Sequence, residues 1–308
     1  MKKIITLSCI LSIACTVITK AQVSNVGAIA SFTGDTLKSE KVDSLWRTGG
    51  FINVNFSQVS LSSWAPGGES SYSISGGFSG FANYDKGRLR WDNSLITSYA
   101  LQQTSTNGLR KTDDQIDLTS KLGYRFKKNQ KWYYSALVNF KSQFANGYDY
   151  AKDPDNVISH FLAPAYVTSS FGFTWRPKDY FEVLISPVTS KLTLVMDKAI
   201  SDAGGFGVTP GKNVRSEFGA YMNARFRKEI MPNVTLASRL ELFNNYSDAN
   251  KPNRKNVDVN WETGFLMKVN KVLTASLVFQ VVCDDDVLKK TQYRQVLGVG
   301  FGYKFANR

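Results

Sequence analysis

From Gln295 to Phe305 the chain reads Gln-Val-Leu-Gly-Val-Gly-Phe-Gly-Tyr-Lys-Phe. Every odd position after Gln295 is apolar or aromatic, and the even positions carry mainly Gly and Lys304. Side chains along a strand alternate faces with period two, so one face here is apolar and the other is bare or polar. The apolar face widens into Phe301, Tyr303 and Phe305 near the end of the chain, as suits a strand that reaches a membrane's aromatic girdle. This pattern predicts the closing strand of a transmembrane barrel; the alternative is the last strand of a soluble sandwich.

The same alternation recurs from Trp46 onward in segments long enough to cross a bilayer at a tilt. They run over 46–61, 72–85, 88–103, 112–126, 131–144, 162–176, 180–195, 215–230, 233–246, 256–269, 272–284 and 291–305. Twelve is an even number, as bacterial single-chain barrels require. The links after every second strand (86–87, 127–130, 177–179, 231–232 and 270–271) are tight and carry the Gly, Pro, Asn or Asp chemistry of turns. The intervening links, 62–71, 104–111, 145–161, 196–214, 247–255 and 285–290, are mostly longer. The link 145–161, which carries His160, is expected to be strand-free. The expected fold class is therefore all-β, a transmembrane antiparallel β-barrel of 12 strands over residues 46–308. Its short turns are expected in the periplasm together with both termini, and its long loops outside.

The two faces of each strand separate cleanly. Over 112–126, Ile116, Leu118, Leu122, Tyr124 and Phe126 oppose Gln115, Asp117, Thr119, Lys121 and Arg125. A charged side chain on the lipid face costs ~2–4 kcal/mol at the midplane, so the polar faces must line the lumen. Trp91, Trp132, Trp175, Tyr84, Tyr124 and Tyr303 fall near the turn ends, where interface anchors belong.

The start of the chain has another purpose. Lys2 and Lys3, the apolar run from Ile4 to Ile18, and Thr19-Lys20-Ala21 read as a signal peptide over 1–21. Its removal takes three lysines and no acid, lowering the formal charge from +13 to +10, and leaves Cys283 as the sole cysteine. Residues 22–45 are small and polar and read as a periplasmic tail. No later apolar run is long enough for a membrane helix. The surplus cations are spread between strands with no basic helix, which argues against nucleic acid and for outer-membrane lipid and lipopolysaccharide as the charged partner.

Inward positions collect Lys121, Arg125, Lys141, Arg225, Arg239, Lys268 and Arg294 against Asp92, Asp117, Glu182, Glu217, Glu241, Asp258 and Glu262. Buried charge persists only when paired. Two readings remain open: cross-strand salt bridges that fill the lumen, or a narrow polar channel whose charges select solutes. The first suits a non-conducting scaffold that binds lipopolysaccharide or an envelope protein, and the second a transport pore. His160, the single histidine, lies near Asp149, Asp153 and Asp155 without a nucleophile motif, so a surface hydrolase is a distant third and the chain reads as no enzyme. The acidic groups Asp113-Asp114, Asp149/Asp153/Asp155 and Asp284-Asp285-Asp286 lack EF-hand spacing, and no metal or cofactor is implied.

Two resemblances complete the reading. Gly300, Tyr303 and Phe305 resemble the C-terminal signal read by bacterial barrel-assembly machinery, although three residues follow it. Residues 55–61 (NFSQVSL), 117–121 (DLTSK), 131–136 (KWYYSA), 161–166 (FLAPAY), 203–208 (AGGFGV), 215–221 (RSEFGAY), 258–262 (DVNWE) and 284–286 (DDD) resemble a family of outer-membrane proteins of unknown function widespread in Bacteroidota. The resemblance implies barrel architecture and an outer-membrane location, and brings no catalytic motif.

Overall fold

The computed structural model describes residues 45–62, 69–127, 130–150, 153–247, 256–284 and 288–306. The predicted signal peptide, the predicted tail up to residue 44, and Asp285 and Asp286 lie outside the described residues.

Twelve strands close into one barrel. In chain order they begin with β1 (Trp46–Val59), β2 (Ser71–Lys86), β3 (Leu89–Thr104), β4 (Gly108–Arg125) and β5 (Trp132–Ser142). A separate hairpin, β6 (Gly147–Asp149) and β7 (Asp153–Ser159), follows. The barrel resumes with β8 (Ala165–Lys178), β9 (Phe181–Leu194), β10 (Val214–Met231) and β11 (Val234–Asn245). It ends with β12 (Asp258–Lys268), β13 (Leu273–Asp284) and β14 (Leu288–Ala306). Each barrel strand pairs antiparallel with its neighbours in the chain, and β1 pairs with β14 to close the ring. No edge is left to template aggregation.

Why the sheet closes with this face inward is read directly from exposure. On β4, Asp117, Thr119 and Lys121 are buried while Leu118, Leu122 and Tyr124 are nearly half exposed. On β14, Leu297, Val299, Phe301 and Tyr303 all stand outside, Tyr303 at 70% exposure. The apolar residues that would form a soluble core instead cover the exterior all round the barrel, a continuous patch that only lipid can cover. The turn end carries paired rings, Trp46 with Tyr84 at 5.3 Å, Trp132 with Trp175 at 6.2 Å and Phe126 with Tyr134 at 4.1 Å. Gly87, at φ +62°, makes the tight β2–β3 turn.

Three expectations need correction. The link expected over 104–111 shrinks to three residues, because β3 and β4 continue pairing up to Thr104 and Gly108. Short turns and long loops therefore do not alternate strictly. The loop 145–161 is not strand-free but holds the β6–β7 hairpin. The loop 196–214 contains a short helix, α1 (Lys198–Asp202), capped by the Asp197 carboxylate, which accepts from the Ile200 N–H at 2.8 Å.

Candidate functional site in the barrel lumen

The strands position two unlike walls around the lumen. Along β14, β1 and β2 the inward positions include Gly298, Gly300, Gly302, Asn53, Asn55, Ser73, Ser75, Gly77 and Ser79, small and neutral and all buried. The inward charges gather mainly along β4, β5 and β9 to β12. Within the charged wall a layer of ion pairs links β4 and β5 across the lumen to β11.

Asp117 on β4 and Lys141 on β5 are cross-strand neighbours of opposite charge, yet both reach β11. Arg239 donates to Asp117 at 3.2 Å and to Glu262 at 3.2 Å. Lys141 pairs with Glu241 at 2.9 Å. The lone pairs left over are also occupied. Asn139 donates to Asp117 at 2.6 Å, while Tyr221 and Asn223 each donate to Glu241 at 3.1 Å. Beneath this layer Leu137, Leu184, Tyr221 and Phe243 pack into an inward apolar cluster contributed by four strands. Burying charges so thoroughly requires this degree of satisfaction, because each desolvated ion otherwise costs several kcal/mol, on the order of its mutual attraction.

Toward the loop end Lys191 gathers Asp258 at 3.2 Å, Asp284 at 3.6 Å and Glu217 at 3.9 Å, and Arg215 adds a 2.8 Å bond to Glu217. Arg294 reaches Asp113 at 3.4 Å and Lys111 holds Asp114 at 2.8 Å. Toward the turn end the balance reverses. Lys121 pairs with Glu182, which Arg176 also approaches at 3.7 Å, and Asp92 lies between Arg90 at 2.8 Å and Lys121 at 3.9 Å. Arg125 is held by the Tyr133 hydroxyl, Lys268 lies exposed at the rim, and Lys304 stands within electrostatic reach of Lys268 and Arg227. A cavity of about 100 Å³ spans this half of the lumen, between Phe81, Asn83, Asp92 and Lys121 on one side and Arg225, Arg227 and Arg239 on the other.

Outside the barrel, the loop end of β5, β8, β9 and β10 carries an ordered cap. Ala163, Val195, Ile200 and Val208 form its small apolar core. His160 Nε2 lies 3.1 Å from Asp197 Oδ2, and His160 Nδ1 lies 2.8 Å from the Phe161 carbonyl oxygen. The Asp197 carboxyl is held below the ordinary aspartate range, first by the Ile200 N–H and then by His160. Both ring nitrogens and both carboxylate oxygens are thus engaged in holding loop to helix.

Residues 56–148 match the model of the family described as Protein of unknown function (DUF3078). No curated protein matches the chain. Among solved structures the chain is similar to an outer membrane channel from Pseudomonas putida F1, at 14% identity over 88% of this chain and 100% of that one, with a TM-score of 0.42. It is also similar to the NanC porin, at 11% identity over 82% of this chain and 98% of that one (TM-score 0.37). A third likeness is to the outer membrane channel DcaP of Acinetobacter baumannii, at 9% identity over 84% of this chain and 95% of that one (TM-score 0.33). The fold assignment rests on the closed strand pairing and the apolar exterior of this chain itself: it is an outer-membrane type β-barrel.

Of the charges expected in the lumen, Asp92, Asp117, Lys121, Lys141, Glu182, Glu217, Arg239, Glu241, Asp258, Glu262 and Arg294 enter ion pairs there. Sequence reasoning missed Arg90, Arg176, Lys191 and Arg215, each of which binds one of them. Lys191 escaped for a specific reason. Glu182, Leu184 and Ser186 point inward, but the register shifts at Pro187, after which Thr189, Lys191 and Thr193 do. A proline inside a strand marks such a bulge, and that was the available signal. The three residues read as an assembly signal sit on the closing pair. Gly300 faces Asn55, and a Cβ there would collide with the Asn55 side chain and the Val54 carbonyl, while Tyr303 and Phe305 lie on the outer face. Among the acids expected in the loops, Asp113, Asp114 and Asp284 have cation partners.

Proposed function

We propose that the protein is a narrow, gated conduit for small polar solutes in the outer membrane of a Bacteroidota-type envelope, with turns and termini periplasmic and loops outside. The observation that carries this reading is the ion-pair layer linking β4 and β5 to β11 across the lumen. A barrel that had only to be solid would do as well with apolar filling at that level, since buried ion pairs gain little over well-packed hydrocarbon. Charges that pair across the lumen form a latch that a solute or a voltage can separate, and the small-residue wall opposite leaves room for side chains to swing. In this reading the protein is no enzyme. His160 and Asp197 clamp the cap, and among the described residues no hydroxyl hydrogen-bonds to His160.

The second reading, a non-conducting barrel that holds an envelope protein or lipopolysaccharide at its loops, draws support from the ion pairs across the lumen and the ordered cap. Planar-bilayer recording separates the two. Wild-type protein refolded to a heat-modifiable barrel is expected to open rarely, and the Arg239→Ala/Asp117→Ala double variant to open at least tenfold more often. A folded double variant that stays silent at all voltages would sink the conduit reading and leave the scaffold.

A further inference from the structure

The ion-pair layer of the lumen does not take in Arg225. Arg225 on β10 faces Arg239 directly across the β10–β11 pair, an arrangement of like charges that a sheet normally avoids. Arg239 is satisfied by Asp117 and Glu262. Arg225 is not satisfied in that way. Its neighbour on the other side is Glu182, which lies within its electrostatic reach, but at ion-pair distance that carboxylate is held by Lys121 and Arg176. Its Nε donates to Asn223 Oδ1 at 3.0 Å, a neutral partner, and among the described residues no carboxylate stands within ion-pair distance of it. Arg225 also lines the cavity of about 100 Å³, where Lys121, Arg227 and Arg239 face a single acid, Asp92.

We infer that this cavity is a binding site for a small oxyanion of the phosphate or sulfate class. Three arginines line one cavity, and a planar guanidinium matches the spacing of two anion oxygens better than any ammonium does. The cavity has room for an anion of that size. The position, on the turn side of the latch, places the anion where its charge would compete with Asp117 for Arg239. The site stands on its own geometry; that the anion is also the solute of the conduit rests on the function proposed above.

Isothermal titration of the refolded, full-length protein in neutral detergent with inorganic phosphate tests it. One saturable site per chain is expected, competed by sulfate and little affected by an equal concentration of chloride. Arg225→Gln should weaken binding at least tenfold, Arg225→Lys several-fold because it keeps the charge and loses the fork, and Lys198→Gln on the external helix not at all. If Arg225→Gln fails to migrate as a folded barrel, Arg225→Lys carries the test. Folded wild type without a saturable site overturns the inference, as does a folded Arg225 variant of unchanged affinity, or displacement by chloride as effective as by sulfate. Phosphate binding by a barrel whose latch variant never conducts would uphold the site while overturning the conduit.

Discussion

The wall built by β14, β1 and β2 and the wall built by β4, β5 and β9 to β12 face each other across one lumen and are held by different physics. The first keeps its place by lack of bulk: Gly300 lies under Asn55 and Gly302 under the Phe51 ring, so neighbouring strands nest closely. The second keeps its place largely by pairing, Asp117 and Lys141 reaching partners on β11 across the lumen. Polar atoms on the two walls consequently differ in use. Asp117 accepts from Arg239 and Asn139, while both amide atoms of Asn53 are buried with no hydrogen-bond partner. A buried polar group is therefore no guide by itself to where the barrel's energy resides; its partners are.

Removing one member of the charged wall should cost most. Asp117→Ala leaves the Arg239 guanidinium beside Arg225 with Glu262 as its remaining ion-pair partner, and the expected loss is ~3–5 kcal/mol in urea unfolding of the refolded barrel. Asp117→Leu combined with Arg239→Met should recover most of it, and a double variant as unstable as the single would show that packing, not charge, ties β4 to β11. On the small wall the counterpart is overpacking. Gly300→Val should cost ~1–3 kcal/mol by forcing β1 and β14 apart, read as a lower midpoint and a smaller heat-resistant fraction on gels. A neutral result there would mean that the seam is looser than its nesting indicates. Asn53→Leu inverts the usual sign for burying polarity. With no bond to lose, the variant should be neutral or more stable by about 1 kcal/mol, and a loss of that size would reveal a partner for the amide.

The smallest effect lies outside both walls. The depressed Asp197 carboxyl stabilises the cap at pH values above the ordinary aspartate range, and that contribution is lost as pH falls through its lowered folded value. Amide exchange at Ile200 should quicken over that acid range and stay flat near neutrality, and Asp197→Ala should bring the fast rate to all pH values.

Much of this barrel is legible in the sequence because alternation is a local property. Leu118, Leu122 and Tyr124 against Asp117, Thr119 and Lys121 give the faces of β4, and a run of such segments gives the strand count and the inward charges. Which inward charge meets which is not local. The meeting of Asp117 with Arg239, 122 residues on, depends on how far the sheet shears as it closes, and nothing on either strand encodes it. The parity change at Pro187 is local and was readable in principle. The β6–β7 hairpin escaped because its strands are short and polar, with no buried face to give a period.

The closing pair has a consequence in time. Among the described residues β1 and β14 share seven paired positions, against fourteen between β1 and β2. Those seven join Gly49 to Ala306 and Asn55 to Gly300, so they form only when the last-made strand has arrived beside the first. Contacts of such wide separation in the chain repay their loop-closure entropy last. Every other strand can pair with a neighbour already present, whereas this seam must wait for the whole sheet to curl. Its glycines then let two edges that have never been neighbours fit together without rearranging a side chain already in place on either of them.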